Sequence, residues 1–204
     1  MNHLSMQAER VKGFLAPEEG ERLYQMAGLA CRLGPCLEIG SYCGKSALYL
    51  GLACKQKGQV LFSIDHHRGS EEQQPGEEYF DASLFDARAY RIDTFSHFRR
   101  TLQSADLEES VIPIVAASTV VARAWATPLA LVFIDGGHAL ETVQQDYDRW
   151  ARHVMPGGYL LMHDIFADPA QGGQAPYLVY QAAVASGQFQ ALPMTGTLGV
   201  LQRR

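Results

Sequence analysis

The chain has 204 residues, 47% of them hydrophobic and 19% charged, with a formal net charge of -5. Such a chain is long and apolar enough for one domain with a well-developed core, and it is not a disordered segment. An acidic balance argues against a nucleic-acid partner, which needs a basic face. No window reaches the ~18 to 20 apolar residues of a membrane span, and MNHLSMQAERVKGF lacks an apolar signal region, so a cytoplasmic location off the membrane is expected.

Pro17 followed by Glu18 and Glu19 marks a helix start and Gly34-Pro35 its end, which gives a leading helix over 17–33. The apolar run CLEIG (36–40) predicts a first strand, and 45–57 reads as helical. QVLFSID (59–65), VIPIVAAS (111–118), LALVFID (129–135) and GYLLMHD (158–164) supply four more strands. These runs are apolar at both odd and even positions, as a parallel sheet covered by helices on both faces requires. Between the last two, Leu140, Val143, Tyr147, Trp150 and Val154 recur at helical steps, with Pro156-Gly157-Gly158 as the stop. Trp125 and Trp150 are expected in the core. After a helix near 175–187, FQALPM and TLGVLQ flank Thr195-Gly196, a hairpin signal. The fold class is therefore a Rossmann-like doubly wound α/β sheet, mostly parallel, ending in an antiparallel strand pair whose last strand inserts beside its neighbour.

Two features stand apart from this rhythm. Cys31, Cys36, Cys43 and Cys54 all lie in the first quarter of the chain at spacings unlike zinc or redox motifs, and they read as reduced, buried thiols. Residues 66–92 form a connection far longer than the usual two to six between strand and helix. This insert carries Glu71, Glu72, Glu77, Glu78, Asp81 and Asp86 against Arg68, Arg88 and Arg91, together with Tyr79, Phe80, Phe85 and Tyr90. It reads as a lid or acceptor-binding element.

The stretch Gly40-Ser41-Tyr42-Cys43-Gly44-Lys45-Ser46 is one residue short of a P-loop, whose four-residue spacer lets backbone N–H groups wrap a phosphate. Nor is it the dinucleotide fingerprint, since Tyr42 stands where the second glycine would admit a pyrophosphate. Asp65, 21 residues beyond Gly44 at the end of the second strand, suits ribose hydroxyls and disfavours phosphate. A glycine turn, a ribose-gripping acid and no phosphate cradle point to an adenosine that carries a sulfonium.

CLEIGSYCGKSALYL, FSIDHHRG and LVFIDGGHALETVQQDYDRWARHVMPGGYLLMHDIF resemble the successive motifs of class I S-adenosylmethionine (SAM)-dependent methyltransferases. Within them the similarity is to a bacterial group marked by I-D-G-x-H and G-G-x-x-x-x-H-D, related to metal-dependent small-molecule O-methyltransferases. The resemblance spans residues 36 to 165. It implies that Glu38, Gly40, Ser41, Tyr42, Gly44 and Ser46 surround the methionine part of SAM and that Asp65 holds the ribose. It also implies that His66 packs on the adenosine, that Ala117 and Ser118 lie near the adenine, and that Asp135 borders the cofactor. A divalent cation such as Mg²⁺, where present, would sit on Asp135, His163 and Asp164. His163 departs from the carboxylate found in relatives, which leaves metal-free catalysis open. His138 corresponds to a general base and Asp164 is its companion catalytic residue. The implied activity is methyl transfer to a small-molecule acceptor, most simply at a hydroxyl oxygen. N-methylation, a non-catalytic SAM-binding role and an NTP-binding role are the other readings, and the oligomeric state is open.

Overall fold

The computed structural model describes residues 3–204, so residues 1 and 2 of the expected N-terminal helical segment (1–35) lie outside it. Its strands are β1 (Cys36–Ile39), β2 (Leu61–Asp65), β3 (Phe85–Asp86), β4 (Arg91–Ile92), β5 (Val111–Val115), β6 (Leu129–Ile134), β7 (Val154–Met162), β8 (Phe189–Thr195) and β9 (Leu198–Arg203). The helices are α1 (His3–Ala8), α2 (Pro17–Ala30), α3 (Lys45–Gln56), α4 (Phe95–Ser104), α5 (Ser118–Val121), α6 (Leu140–Trp150) and α7 (Ala175–Ala185). Seven strands form one sheet in the order β5-β2-β1-β6-β7-β9-β8. The first five run parallel, while β9 is antiparallel to both β7 and β8, inserted between them as expected. The strand order reverses direction at β1, whose neighbours are β2 and β6, and at such a switch point the carboxyl ends of the strands open a crevice.

Burial explains why this topology was legible. Every residue of β1 and β6 is buried, because each is central and helices cover both faces. On one face Leu23, Met26, Leu48, Leu50 and Phe98 from α2, α3 and α4 pack on Leu61, Leu131 and Phe133. On the other, Val143, Trp150, Val179 and Ala183 from α6 and α7 pack on Leu37, Val132 and Leu160. Burying one such side chain contributes about 1.5–3 kcal/mol, so these two layers dominate the fold's stability. Among the described residues no helix is long and apolar enough to cross a membrane.

Several boundaries differ from expectation. The leading helix stops at Ala30, and a turn through 31–34 leads into β1. Strand β5 stops at Val115, since Ser118 begins α5. The periodic segment ends at Trp150, so Pro156-Gly157-Gly158 lies within β7 and does not stop the helix. A register shift against Leu129 and Leu131 absorbs Pro156, which has no N–H to give the ladder, and Gly157, whose φ is +79°. Leu140, expected on the apolar stripe of α6, is exposed, whereas Asp146 on that helix is buried. The hairpin turn falls on Gly196-Thr197. Trp150 is fully buried and makes an edge contact with the half-buried Trp125, whose indole donates to the Thr127 carbonyl.

Candidate active site

The carboxyl ends of β1, β2, β5, β6 and β7 border a cavity of about 850 Å³. Residues drawn from sites as distant as Phe14 and Phe166 share it, because parallel strands bring their carboxyl ends to one rim. The cavity has two halves.

The first half is built on the turn after β1. Gly40 has φ +84°, and a Cβ there would stand 2.1 Å from the Asp135 carbonyl oxygen, so only glycine lets β1 and β6 open so close together. Gly44, φ +93°, starts α3. Between them the backbone N–H groups of Ser41 and Tyr42 donate to Asp65 Oδ2 at 2.9 and 2.8 Å, and the His67 N–H donates to Oδ1 at 2.7 Å. A carboxylate offers four lone-pair positions and three are taken, so Asp65 fixes the turn and retains one for a ligand hydroxyl. Amides that would cradle a phosphate in a P-loop face this carboxylate instead, and Lys45 Nζ donates to the Gly13 carbonyl at 3.0 Å. The turn is thus an intact structure hostile to phosphate. Ser41 Oγ is buried on the cavity wall without a hydrogen-bond partner among the described residues.

Of the residues expected around the cofactor, Gly40, Ser41, Tyr42, Ser46, Asp65, His66, Ala117, Ser118 and Asp135 all line the cavity. Glu38 and Gly44 do not. Glu38 is sealed beneath the floor, where Ser63 and Ser46 hydroxyls donate to it at 2.6 and 2.8 Å. Burial pushes its carboxyl up to about 8, with the two hydroxyls opposing the shift. His66 is half-exposed at the cavity edge, whereas His67 is buried against Phe95 and Phe98 with Nδ1 2.8 Å from Thr94 Oγ1. Sequence reasoning missed Asp146, buried at the Ser118 end of the cavity, where the Ser118 hydroxyl donates to it. Burial pushes Asp146 up to about 6.

The second half is a chain of acids and imidazoles at the ends of β6 and β7. Asp135, His138 and Asp164 place ligand atoms within 4.8 Å of one another. His138 Nε2 lies 2.9 Å from Asp164 Oδ2, and its Nδ1 lies 3.0 Å from Glu72 Oε2 of the long insert. These contacts, Asp164 first, outweigh burial and raise His138 to about 9, above the near-neutral value expected of a free imidazole base. Burial works against ionisation of Asp164, but hydrogen bonds from His138 and His163 hold its carboxyl well below the usual range. Asp164 also carries a left-handed backbone, φ +58°, a strain of order 1–3 kcal/mol that persists because its neighbours hold it.

His163 is not in the ligand group, contrary to the expected Asp135, His163 and Asp164 set. Its Nε2 lies 2.9 Å from Glu19 Oε2, and its Nδ1 lies 3.3 Å from Asp135 and 3.4 Å from Asp164. Burial opposes a charge here, but the three facing carboxylates, Asp135 foremost, push His163 up to about 12, and both ring nitrogens face carboxylates. Glu19 is the second residue that sequence reasoning missed. One oxygen accepts from the Thr197 N–H and hydroxyl at 2.7 and 2.9 Å; the other accepts from His163 and from the Ala16 N–H at 3.1 Å. Despite its burial these bonds, His163 foremost, bring Glu19 down to about 2. Its only sequence signal was its place in the first turn after Pro17.

The insert lines part of both halves. Glu71, Glu72, Glu77, Glu78 and Tyr79 face the cavity, while Phe80, Phe85, Leu84 and Ile92 pack beneath on Cys43. Asp81 pairs instead with Lys12, Asp86 accepts from the Arg88 N–H, and Tyr90 is exposed. Phe14 bridges Tyr42 and Tyr79 with ring centroids 5.8 and 5.3 Å away.

Residues 37–165, more than half of the chain, match the family described as "Methyltransferase domain". The chain belongs to that family, and it is a methyltransferase. Solved structures of the same fold include cofactor-bound Rv0187 from MTB, 17% identical over 98% of this chain and 85% of that one, with a TM-score of 0.68. Another is the O-methyltransferase TomG of Streptomyces achromogenes, involved in tomaymycin synthesis and solved with SAM, at 14% identity over 100% and 90% and a TM-score of 0.66. An O-methyltransferase from Bacillus cereus, in complex with SAH, matches at 12% over 100% and 92% with a TM-score of 0.65. At these identities the likeness is one of fold.

Proposed function

We propose that the protein transfers the methyl group of SAM to a hydroxyl oxygen of a small acceptor in the cytoplasm. The observation that carries this reading is the single cavity of about 850 Å³ that joins the glycine turn and Asp65 to the Asp135, His138 and Asp164 group. That volume suits one cofactor and one small acceptor. The cofactor half fits SAM: it opposes phosphate, keeps one Asp65 lone pair for a ribose hydroxyl, and offers the unpaired Ser41 hydroxyl and the buried Asp146 to polar edges. TomG, of the same fold, was solved in complex with SAM, which supports the same cofactor here.

Methyl transfer is an in-line displacement, so the protein's task is to align the acceptor and remove its proton. His138, on the acceptor side of the cavity and oriented by Asp164, is the group placed to take that proton once it has released its own. The donor set also fits a divalent cation, which Asp135, Asp164 and neutral His138 would hold and which would lower the acceptor hydroxyl's pKa. The insert supplies aromatic and acidic contacts above the acceptor and excludes water from it. All four cysteines are free thiols, which agrees with a reducing compartment.

The test is a thermal-shift panel. SAM and S-adenosylhomocysteine at ~100 times their dissociation constants should each stabilise the protein by roughly 2.7 kcal/mol, with ATP and NAD inert. Stabilisation by ATP alone would overturn the reading. Turnover of hydroxylated acceptors in excess EDTA, with and without restored Mg²⁺, then separates metal-assisted from metal-free proton removal.

A further inference from the structure

At the other end of β1 from the cavity, three thiols distant in sequence meet. Cys31 follows α2, Cys36 opens β1 and Cys54 lies in α3. Cys31 Sγ stands 3.8 Å from Cys36 Sγ and 3.6 Å from Cys54 Sγ, and all three sulfurs lie within 4.8 Å of one another. Cys36 and Cys54 are wholly buried and Cys31 is 4% exposed. Gly40 lies four steps along the chain from Cys36, roughly 13 Å at the usual rise, so methyl transfer does not use this cluster.

Three sulfurs bound about 2.3 Å from one ion stand about 3.8–4.0 Å apart, whether the arrangement is tetrahedral or trigonal. The cluster is therefore already near ligand spacing. Among the described residues no imidazole or carboxylate joins it, so it offers three soft donors and no fourth. That disfavours zinc, which takes four ligands in structural sites. Charge decides further. The sulfurs sit in the same apolar cluster as Ala27, Ala30, Leu50 and Leu61, where an unbalanced charge is costly. Three thiolates are neutralised only by a trivalent centre. Hydrogen bonding with Cys36 and Cys54 lowers the Cys31 thiol, and Cys31 is also the sulfur nearest solvent.

We propose that Cys31, Cys36 and Cys54 form a chelating site for a trivalent thiophilic centre of the arsenite class. Arsenite exchanges its three hydroxyls for three sulfurs: three S–H and three As–O bonds break, three As–S and three O–H bonds form, and three waters leave. No oxidant or reductant is needed, and the product is neutral. Entry requires local opening of the turn at 31–34, so binding is slow.

The experiment titrates the reduced, full-length protein with arsenite. The expected result is one arsenite per chain and sulfur-to-arsenic absorption in the near ultraviolet. Cys43→Ser should bind as wild type does, because Cys43 packs elsewhere, beneath the insert. Cys31→Ser and Cys54→Ser should each weaken binding at least tenfold, with circular dichroism confirming that they fold; Cys31→Ser alters the most exposed of the three and is the safer variant. Zn²⁺ should bind at least tenfold more weakly than arsenite. Absence of one-to-one binding, loss of binding in Cys43→Ser, or unchanged binding in Cys31→Ser and Cys54→Ser would each overturn the proposal.

Discussion

Glu19 ties the N-terminal helix to the chemical end of the sheet, and its removal is the sharpest test of the site's electrostatics. Glu19→Ala leaves His163, the Thr197 N–H and hydroxyl and the Ala16 N–H without their shared acceptor in a place only 4% exposed. Breaking a buried charge pair costs about 3–5 kcal/mol. Asp135 and Asp164 still face His163, so the lower end, about 3 kcal/mol, is expected. For a chain of this size that lowers the melting temperature by roughly 6–12 °C. Glu19→Gln keeps an acceptor for Thr197 but turns an amide donor toward His163, and should lose about 1–2 kcal/mol. Glu19 is held at about 2, below its usual 4.5, so its contribution is complete above pH 4.5 and fades as pH falls toward 2. Urea unfolding of wild type and Glu19→Gln at a series of pH values measures this directly. A Glu19→Ala protein within 1 kcal/mol of wild type at pH 7, or a wild-type advantage that does not shrink below pH 4.5, would refute the ion-pair account.

Three further outcomes follow from the cavity. Asp65→Ala should weaken SAM binding by about 1–3 kcal/mol in calorimetry, since it frees the turn's amides and removes a ribose acceptor; unchanged affinity would take Asp65 out of the site. His138→Ala should lower turnover by about 10²–10⁴ with SAM affinity intact. If His138 is the base, kcat/KM of wild type rises with pH toward about 9, and Glu72→Gln moves the rise to lower pH because one of the two carboxylates favouring the proton is gone; a profile that Glu72→Gln does not shift would separate the insert from the base. Replacing 70–89 with a short Gly/Ser linker should leave SAM binding within about tenfold and abolish transfer to the acceptor, at some cost in stability from the lost Lys12–Asp81 pair and the Leu84 contact. Wild-type turnover by that variant would reduce the insert to a surface loop.

How much of this was legible depends on whether a residue's role is set by its neighbours in sequence or by packing. The strands were readable because buried parallel strands are apolar on both faces, as in LALVFI of β6. Once the strands were placed, parallel topology alone brought residues 40–42, 45–46, 65, 117–118, 135–138 and 164 to one rim. Glu19 and Asp146 were missed for the opposite reason. Each is a polar residue in an amphipathic helix that reads as solvated, and its partner lies far off: Glu19 meets His163 across 144 positions, and Ser118 meets Asp146 across 28. The cysteine trio escaped motif reasoning in the same way, since spacings of five and eighteen carry no local geometry.

His163 joins these two cases. Seen alone, a histidine where relatives carry a carboxylate looked like a weakened metal ligand. With Glu19 behind it, its ring lies between Glu19, Asp135 and Asp164, which together favour its charged form. A positive charge at 163, only 7% exposed, is favoured by a buried acid on its far side, because Asp135 and Asp164 border the cavity. α2 and the β8–β9 turn pack there, and α2 supplies that acid, which also accepts from the Ala16 and Thr197 amides. The histidine at 163 and the acid at 19 are one electrostatic unit, written 144 residues apart.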